Sequence, residues 1–362
     1  MPSNIDYSSI RFWVVRAGKG GEFYDTFIKH GLVALGHWNG VIEGLDELPC
    51  GGKAKGIDIE QAKASIERLS AENNKAQASK YFNQGRSFIH DMNVKDVVLT
   101  TSNDSITVGR ILSEPYIDHS PLSYHKHQSK CCDYLIRRKV KWSSIPIAKA
   151  KIPHVILRAL SASSAIYSLD KHSQTMKHWL DPVHTEGKDA FFSLKINSED
   201  GISNVNIGDI QQAISQIEMI ANLLSKKPDS LDNLENLDSF FRRYRESNEL
   251  HATTQSEFMS PGVIWTVAEL ADPRVAKLFT LICLCVFSSE SPAVELYSTL
   301  SSVDTNIIDS TLAAISDSNY INEAIDKLSL NVPSTIPVMT ETIEEQSIDD
   351  FPPVVDSSNS AL

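Results

Sequence analysis

Short apolar runs separated by glycines and polar turns mark the first half of the chain. Residues 10–15 and 32–35 are rich in β-branched and aromatic side chains, and glycines follow each run, which predicts two strands. Helix formers dominate residues 57–92 and predict two helices inserted between strands. Further strands are predicted at 97–100, 106–111 and 140–142. About five short strands with one helical insertion predict a small curled mixed β-sheet or partial barrel.

The second half of the chain has the apolar spacing of helices. A final strand fits residues 191–196, and after Pro333 the chain is rich in Ser, Pro, Thr and acidic residues, a composition typical of disorder. We therefore predict an α+β domain at 1–185, a mostly α-helical domain at 186–332 and a disordered acidic tail at 333–362. The predicted helices lie at 207–224, 231–245, 263–270, 273–287, 293–300, 307–315 and 320–328.

Charge is distributed unevenly between these two halves. Residues 1–190 contain 25 Lys and Arg against 20 Asp and Glu, a net charge of +5, whereas residues 191–362 contain 9 against 26, a net charge of −17. A basic module favours contact with a polyanion, and an acidic one repels it. We therefore expect nucleic acid to bind the first half, and a protein partner or a second copy to bind the helical half.

Other features of the composition narrow the cellular setting. The longest apolar run, residues 278–287, is about half of the ~20 residues that span a bilayer, so no membrane partner is expected. The first ten residues lack the apolar stretch of a secretory signal, and the five cysteines form no CxxC pair. A reduced, cytoplasmic location is expected.

Six motifs follow one another in the first half of the chain. They are WVVRAG at 13–18, GLVALG at 31–36, FIHDMNVKDVVLT at 88–100, VGRI at 108–111, RKVKW at 138–142 and LRALSA at 157–162. In this order and spacing they resemble the amino-terminal domain of Mrr-type, modification-dependent restriction endonucleases, which has a PUA/EVE-like fold. The resemblance covers about residues 8–180 and implies a DNA-binding module that recognises a modified or flipped base. It further implies a sensor role in prokaryotic restriction and antiviral defence.

Two strand ends in this module are candidate nucleic-acid contacts. Arg16, Gly18 and Lys19 follow the first predicted strand in a glycine-rich turn, where backbone N–H groups and cations can hold a phosphate. Trp38 follows Gly36, at a strand end where it could stack on a base. The alternatives are a turn with surface cations and a tryptophan buried in the core.

A basic stretch near residue 140 supplies the remaining candidates. Alternation along a strand places Arg137, Lys139 and Lys141 on one face, as a stripe that contacts phosphates, and Trp142 ends the stretch. The competing interpretation is an edge strand protected from pairing by its charges.

Evidence for catalysis or metal binding is weak in this sequence. The only close match to a Mg²⁺-dependent nuclease motif is Asp181 with Glu186-Gly187-Lys188. It lacks β-branched flanks and is interpreted as a loop. No metal site or cofactor is predicted, because the only His/Cys group departs from the usual zinc spacing; it consists of His119, His125, His127, Cys131 and Cys132.

Two alternatives to a non-catalytic DNA sensor stay open. One is an Mrr-like endodeoxyribonuclease whose catalytic residues are not recognisable, and the other is an RNA-binding PUA-type protein.

Overall fold

The structure of this chain is a computed structural model that divides into two compact units. One unit comprises residues 9–176 with 337–362 and is called the 9–176 unit; the other comprises 1–8 with 177–336 and is called the 177–336 unit. The described residues are 5–45, 49, 52–69, 74–122, 131–198, 202–226, 228–231, 237–246, 250–257, 262–288, 293–301, 303, 305–316 and 319–345.

The 9–176 unit combines short strands with helices that cover them. Its strands are β1 (Phe12–Val15), β2 (Leu32–Leu35), β3 (Val97–Thr101), β4 (Ser105–Ile111), β5 (Tyr116–Ile117), β6 (Ile136–Trp142), β7 (Ile147–Ala148) and β8 (Ile166–Ser168). Its helices are α1 (Tyr24–His30), α2 (Asn39–Glu43), α3 (Ile59–Leu69), α4 (Lys75–Arg86) and α5 (His154–Ala159), and α6 (Ser173–Leu180) crosses residue 176.

The strands of this unit form one eight-stranded sheet. Its main path runs β2-β6-β4-β3-β1-β8, with β5 paired to β6 and β7 paired to β4. The pairing of β1 with β3 is parallel, and the other pairings are antiparallel. The sheet curls into a half-barrel, so the prediction of a curled mixed sheet with helices is confirmed.

A buried carboxylate fixes the parallel pair at its start. Asp96, 1 % exposed, precedes β3 and accepts hydrogen bonds from the backbone N–H groups of Arg11 (3.0 Å) and Asn93 (2.9 Å). Its second oxygen also accepts from the indole Nε1 of Trp13 in β1, at 2.9 Å. Burial raises the pKa of Asp96, and these hydrogen bonds oppose that shift. The carboxylate thus fastens β1 beside β3 in register.

A buried arginine fastens the other side of the same sheet. Arg138 of β6 is fully buried and donates to the carbonyl oxygens of Phe88, Ile89 and Met92, at the end of a π-helical turn (Ser87–Asp91), and to that of Ser113. Burial lowers the pKa of Arg138 to about 10. The guanidinium satisfies carbonyls that the end of the helical segment leaves unpaired.

The 177–336 unit contains many helices, but it also contains a sheet, of which the sequence analysis expected only the strand at 191–196. It contains a five-stranded sheet of order β11-β12-β10-β13, with β9 also paired to β10. The strands are β9 (Val183–Glu186), β10 (Asp189–Ile196), β11 (Ala252–Glu257), β12 (Gly262–Glu269) and β13 (Leu330–Asn331). The helices are α7 (Asn204–Lys226), α8 (Leu237–Arg245), α9 (Pro273–Phe287), α10 (Ala293–Thr299), α11 (Thr305–Ser316) and α12 (Asn319–Leu328).

The error concerns residues 263–270, which were predicted as a helix and form β12 instead. Apolar residues in this segment fit both a helical face and a two-sided buried strand, and short apolar runs do not separate the two. Pairing decides the outcome, because β12 lies between β10 and β11 and hydrogen-bonds to both. The polar strand β11, ATTQSE, carries no apolar signal and was missed altogether.

The predicted tail, 333–362, is ordered over its first part. Residues 337–340 form α13 (Pro337–Thr340), which packs against β4. The side chains of Val338 and Met339 are 0 % and 1 % exposed, and that of Ile343 is 7 % exposed. Composition predicted disorder because apolar residues are sparse here, but these three are buried. Residues 346–362 lie outside the described residues.

The Asp96 contacts lead to the first prediction. Asp96→Ala leaves three donors without their acceptor, and hydrogen bonds to a charged group contribute about 1.5–3 kcal/mol each, so we expect a loss of at least ~3 kcal/mol in the free energy of unfolding. Urea denaturation measures it. The exposed Asp104→Ala serves as the control, within about 0.5 kcal/mol of the parent. A loss below ~1 kcal/mol for Asp96→Ala would contradict this role.

A second prediction follows from the buried residues after 336. Ending the chain at residue 336 removes Val338, Met339 and Ile343 from the core, and each fully buried apolar side chain contributes roughly 1.5–3 kcal/mol. We expect a clear fall in Tm by calorimetry. Ending the chain at residue 345 keeps all three side chains and is the matched control, with an unchanged Tm. Equal Tm values for the two truncations would show that these contacts contribute nothing.

Candidate nucleic-acid interface

The turn after β1 is built from glycines in conformations that other residues avoid. Gly18, Gly20 and Gly21 have φ values of 76°, 67° and 80°. A Cβ at Gly21 would lie 2.8 Å from the backbone oxygen of Thr101, so the turn approaches the β3–β4 hairpin backbone to backbone. Glycine permits both the positive φ and the close approach.

The parallel pairing explains why this turn meets that hairpin. Because β1 and β3 run in the same direction, their carboxyl ends lie at the same edge of the sheet. The chain leaves β1 into the glycine turn and leaves β3 into the hairpin loop at residues 102–104. A cavity of about 150 Å³ opens there, lined by Arg16, Gly18, Gly20, Gly21, Thr101, Ser102, Asn103, Lys149 and Leu160.

Two cations of this cavity are held by carbonyl groups. Arg16 donates from Nη2 to the carbonyl oxygens of Leu160 and Ala162, at 2.7 and 2.6 Å. Lys149 donates from Nζ to the carbonyl oxygen of Asn103, at 2.6 Å. Within the described part of the chain, neither side chain forms an ion pair with a carboxylate. Carbonyl dipoles therefore position both positive charges, and no acidic counter-ion is found for either among the residues that the structure describes.

The sequence prediction located part of this site. Arg16 and Gly18 line the cavity, and Lys19 lies between two of its glycines with an exposed side chain. Reasoning from the sequence missed Ser102, Asn103 and Lys149. The hairpin loop itself was visible as a turn, but its approach to residues 16–21 depends on the parallel pair, which no local pattern reveals.

Trp38 does not belong to the site, contrary to the prediction of base stacking. Its side chain is fully buried, and its Nε1 donates to the carbonyl oxygen of Tyr81 at 3.0 Å. One ring face lies near Phe82, with centroids 6.3 Å apart. A Cβ at Gly85 of α4 would lie 1.9 Å from the indole, so α4 covers the ring closely. Both faces are occupied, and the core interpretation is correct.

Arg137 is also wrong as a phosphate contact. Its side chain is 1 % exposed and donates from Nη1 to the Asp118 carboxylate at 2.7 Å. Its Nε donates to the carbonyl oxygen of Tyr134 at 2.8 Å. The strand alternation places Arg137, Lys139 and Lys141 on one face, but exposure along that face increases from the buried Arg137 to the exposed Lys141.

The rest of the predicted basic stripe is dispersed. Lys139 is half-buried over the ring of Tyr116, 6.0 Å from its centroid, and burial lowers its pKa. Lys141 is exposed but forms an ion pair with Glu341. Trp142 is half-buried and donates from Nε1 to the carbonyl oxygen of Phe27 at 3.0 Å. These residues support the sheet and form no continuous basic surface.

The nuclease-like residues are divided between a hairpin and the segment before it. Glu186 ends β9 and Lys188 lies in the turn that leads into β10, whereas Asp181 precedes β9 and belongs to no strand. The Asp181 carboxylate is buried and accepts hydrogen bonds from the hydroxyls of Tyr7 (3.1 Å) and Thr335 (2.9 Å), and Glu186 pairs with Lys177 at 2.8 Å. Their oxygens are thus committed to intramolecular partners.

Among the described residues, no three His, Cys, Asp or Glu side chains lie close enough together to bind a metal ion. His125 and His127 lie outside the described residues. Cys131 is exposed and Cys132 is buried, and burial raises the pKa of Cys132 to about 11.

Comparisons with known proteins assign this chain to no family. A scan against protein-family models and a search of curated proteins both give no match. Across the helices that the structure describes, none is long and apolar enough to cross a membrane.

The burial of Trp38 gives a third prediction. Trp38→Ala empties a core position and is expected to lower the free energy of unfolding by about 3–5 kcal/mol, as large-to-small core changes do. Chemical denaturation followed by circular dichroism measures the change. Trp38→Phe keeps most of the volume and is the milder companion variant. If Trp38→Ala were as stable as the parent, the ring would have to be solvent-accessible and the stacking hypothesis would return.

Proposed function

We propose that the 9–176 unit binds nucleic acid at the edge formed by the glycine turn and the β3–β4 hairpin, with DNA as the partner. The observation that carries the proposal is the cavity there. Carbonyls hold Arg16 and Lys149 over it, and neither has a carboxylate partner in the described part of the chain. Cations fixed in this way are ready to receive an anionic group, because no internal ion pair has to break first.

The size and chemistry of the cavity limit what enters it. A volume of about 150 Å³ lies below the roughly 300–1,000 Å³ of pockets that bury a whole drug-sized ligand. One phosphate group or one extruded base is the appropriate scale. The open glycine backbone allows close approach, Arg16 and Lys149 supply charge, and the polar side chains of Ser102 and Asn103 offer hydrogen bonds to a base edge.

The identity of the polymer and the biological role rest on the resemblance to the Mrr-type amino-terminal module. WVVRAG at 13–18 includes Arg16 and Gly18 of the cavity, and LRALSA at 157–162 includes both carbonyls that hold Arg16. Two of the motifs on which the resemblance depends thus meet at one site. On this basis the protein is a reader of modified or extruded bases, a sensor in restriction or antiviral defence, and not itself the strand-cutting subunit.

The fourth prediction tests the site through two of its lysines. Lys19→Ala combined with Lys149→Ala removes two charges at the cavity and leaves the hydrogen bonds of Arg16 in place. Each lost phosphate contact flattens the dependence of log K on log salt by about 0.9, so a decrease of nearly two units is expected for duplex DNA. Fluorescence anisotropy across a salt series measures it.

The matched control removes two lysines of the same unit that lie away from the cavity. Lys63 and Lys75 are exposed on α3 and α4, and Lys63→Ala with Lys75→Ala changes the net charge by the same amount. An equal effect of the two double variants would show a general charge effect and would contradict a site. The same series on single-stranded RNA distinguishes the polymers, because tighter binding to RNA would favour the RNA-binding alternative.

A further inference from the structure

The acidic 177–336 unit carries one concentrated group of positive charge. Residues 191–362 contain only 9 Lys and Arg, and three of them, Arg242, Arg243 and Arg245, occupy four consecutive positions near the end of α8. We refer to these three residues as the α8 arginine cluster. In a segment with a net charge of −17, such a concentration contrasts with its surroundings.

The helix is anchored so that the cluster faces solvent. Phe241 is buried, 7 % exposed, in the hydrophobic core of this unit, and Phe240 and Tyr244 pack against the same core. All three arginines are exposed. The guanidinium of Arg243 lies 5.5 Å from the centroid of the Phe240 ring, a cation–π contact that orients it along the helix.

In the part of the chain that the structure describes, no acidic side chain accounts for these charges. Within the described residues, the three guanidinium groups form no ion pair, whereas Lys177, Lys188, Lys277 and Lys327 of the same unit each pair with a glutamate. One cation at a helix carboxyl terminus stabilises the helix dipole. Arg242 and Arg245 lie three positions apart on one face of the helix, where like charges repel each other, and an anionic partner would relieve that repulsion.

We propose that the α8 arginine cluster contacts the phosphate backbone of nucleic acid and gives the 177–336 unit its own attachment to that polymer. The proposal rests on the proposed function for the nature of the polyanion. Phosphate is favoured because the planar guanidinium fork binds its oxygens in pairs. A strongly acidic unit without such a patch would be repelled by DNA, and the cluster supplies a local contact that offsets this repulsion.

The test is a salt series of binding by the full chain to a labelled DNA duplex. The variant with Arg242→Ala, Arg243→Ala and Arg245→Ala loses two to three phosphate contacts. Raising the salt from about 50 to 200 mM weakens binding of both proteins. The loss of affinity should be roughly 10 to 40 times smaller for this variant than for the parent. Arg→Lys at the same positions keeps the charges and should keep the slope. The matched control, Lys195→Ala with Arg274→Ala and Lys327→Ala, removes equal charge elsewhere in this unit and should have a small effect.

Two results would overturn the inference alone. In the first, log K depends on log salt equally steeply in the arginine variant and in the matched control, while the double variant of Lys19 and Lys149 still binds more weakly than the parent. The other is loss of binding to labelled poly-glutamate with DNA binding intact, which would make the cluster a docking surface for an acidic protein. If the parent chain binds no duplex, the proposed function and this inference fall together.

Discussion

The parallel pairing of β1 with β3 is the constraint on which the candidate site depends. Adjacent antiparallel strands would send their following loops to opposite edges of a sheet, whereas parallel strands send them to the same edge. Asp96 enforces this arrangement from the other end, by accepting hydrogen bonds from the backbone of Arg11 and from the indole of Trp13. The buried carboxylate therefore positions a glycine turn and a hairpin loop that are more than 80 residues apart in the sequence.

A second buried charge holds the same sheet from β6. Arg138 donates to four backbone carbonyls and, within the described residues, to no carboxylate, so dipoles at the end of a helical segment stabilise its charge. Arg16 and Lys149 are also held by carbonyls, but at the solvent edge. The difference in exposure distinguishes a structural cation from one that can meet a ligand, and the sequence shows all three only as basic residues near strands.

Much of the 9–176 unit could be predicted from the sequence, because its strands are bounded by glycines and turns. The prediction of residues 32–35 matches β2, and that of 97–100 matches β3 to within one residue. Within the site, Arg16, Gly18 and Lys19 were found from the glycine turn. Lys149 and Asn103 were not, because the contact that brings them there is a long-range strand pairing.

The failures share a physical cause, which is burial that composition does not reveal. Trp38 and Arg137 occupy positions typical of exposed binding residues, but α4 covers the first and Asp118 neutralises the second. In the 177–336 unit, β12 was predicted as a helix from its apolar residues and is a strand that pairs with β10 and β11. Val338 and Met339 lie in a sparse, polar segment and are nonetheless core residues.

The central claim is that nucleic acid contacts the edge where the glycine turn meets the β3–β4 hairpin. Hydrogen–deuterium exchange of the full chain, with and without saturating DNA, tests it most directly. The account predicts that peptides covering residues 16–21, 101–104 and 149 become protected together when DNA is bound. Protection elsewhere in the 9–176 unit, with these three segments unchanged, would contradict it.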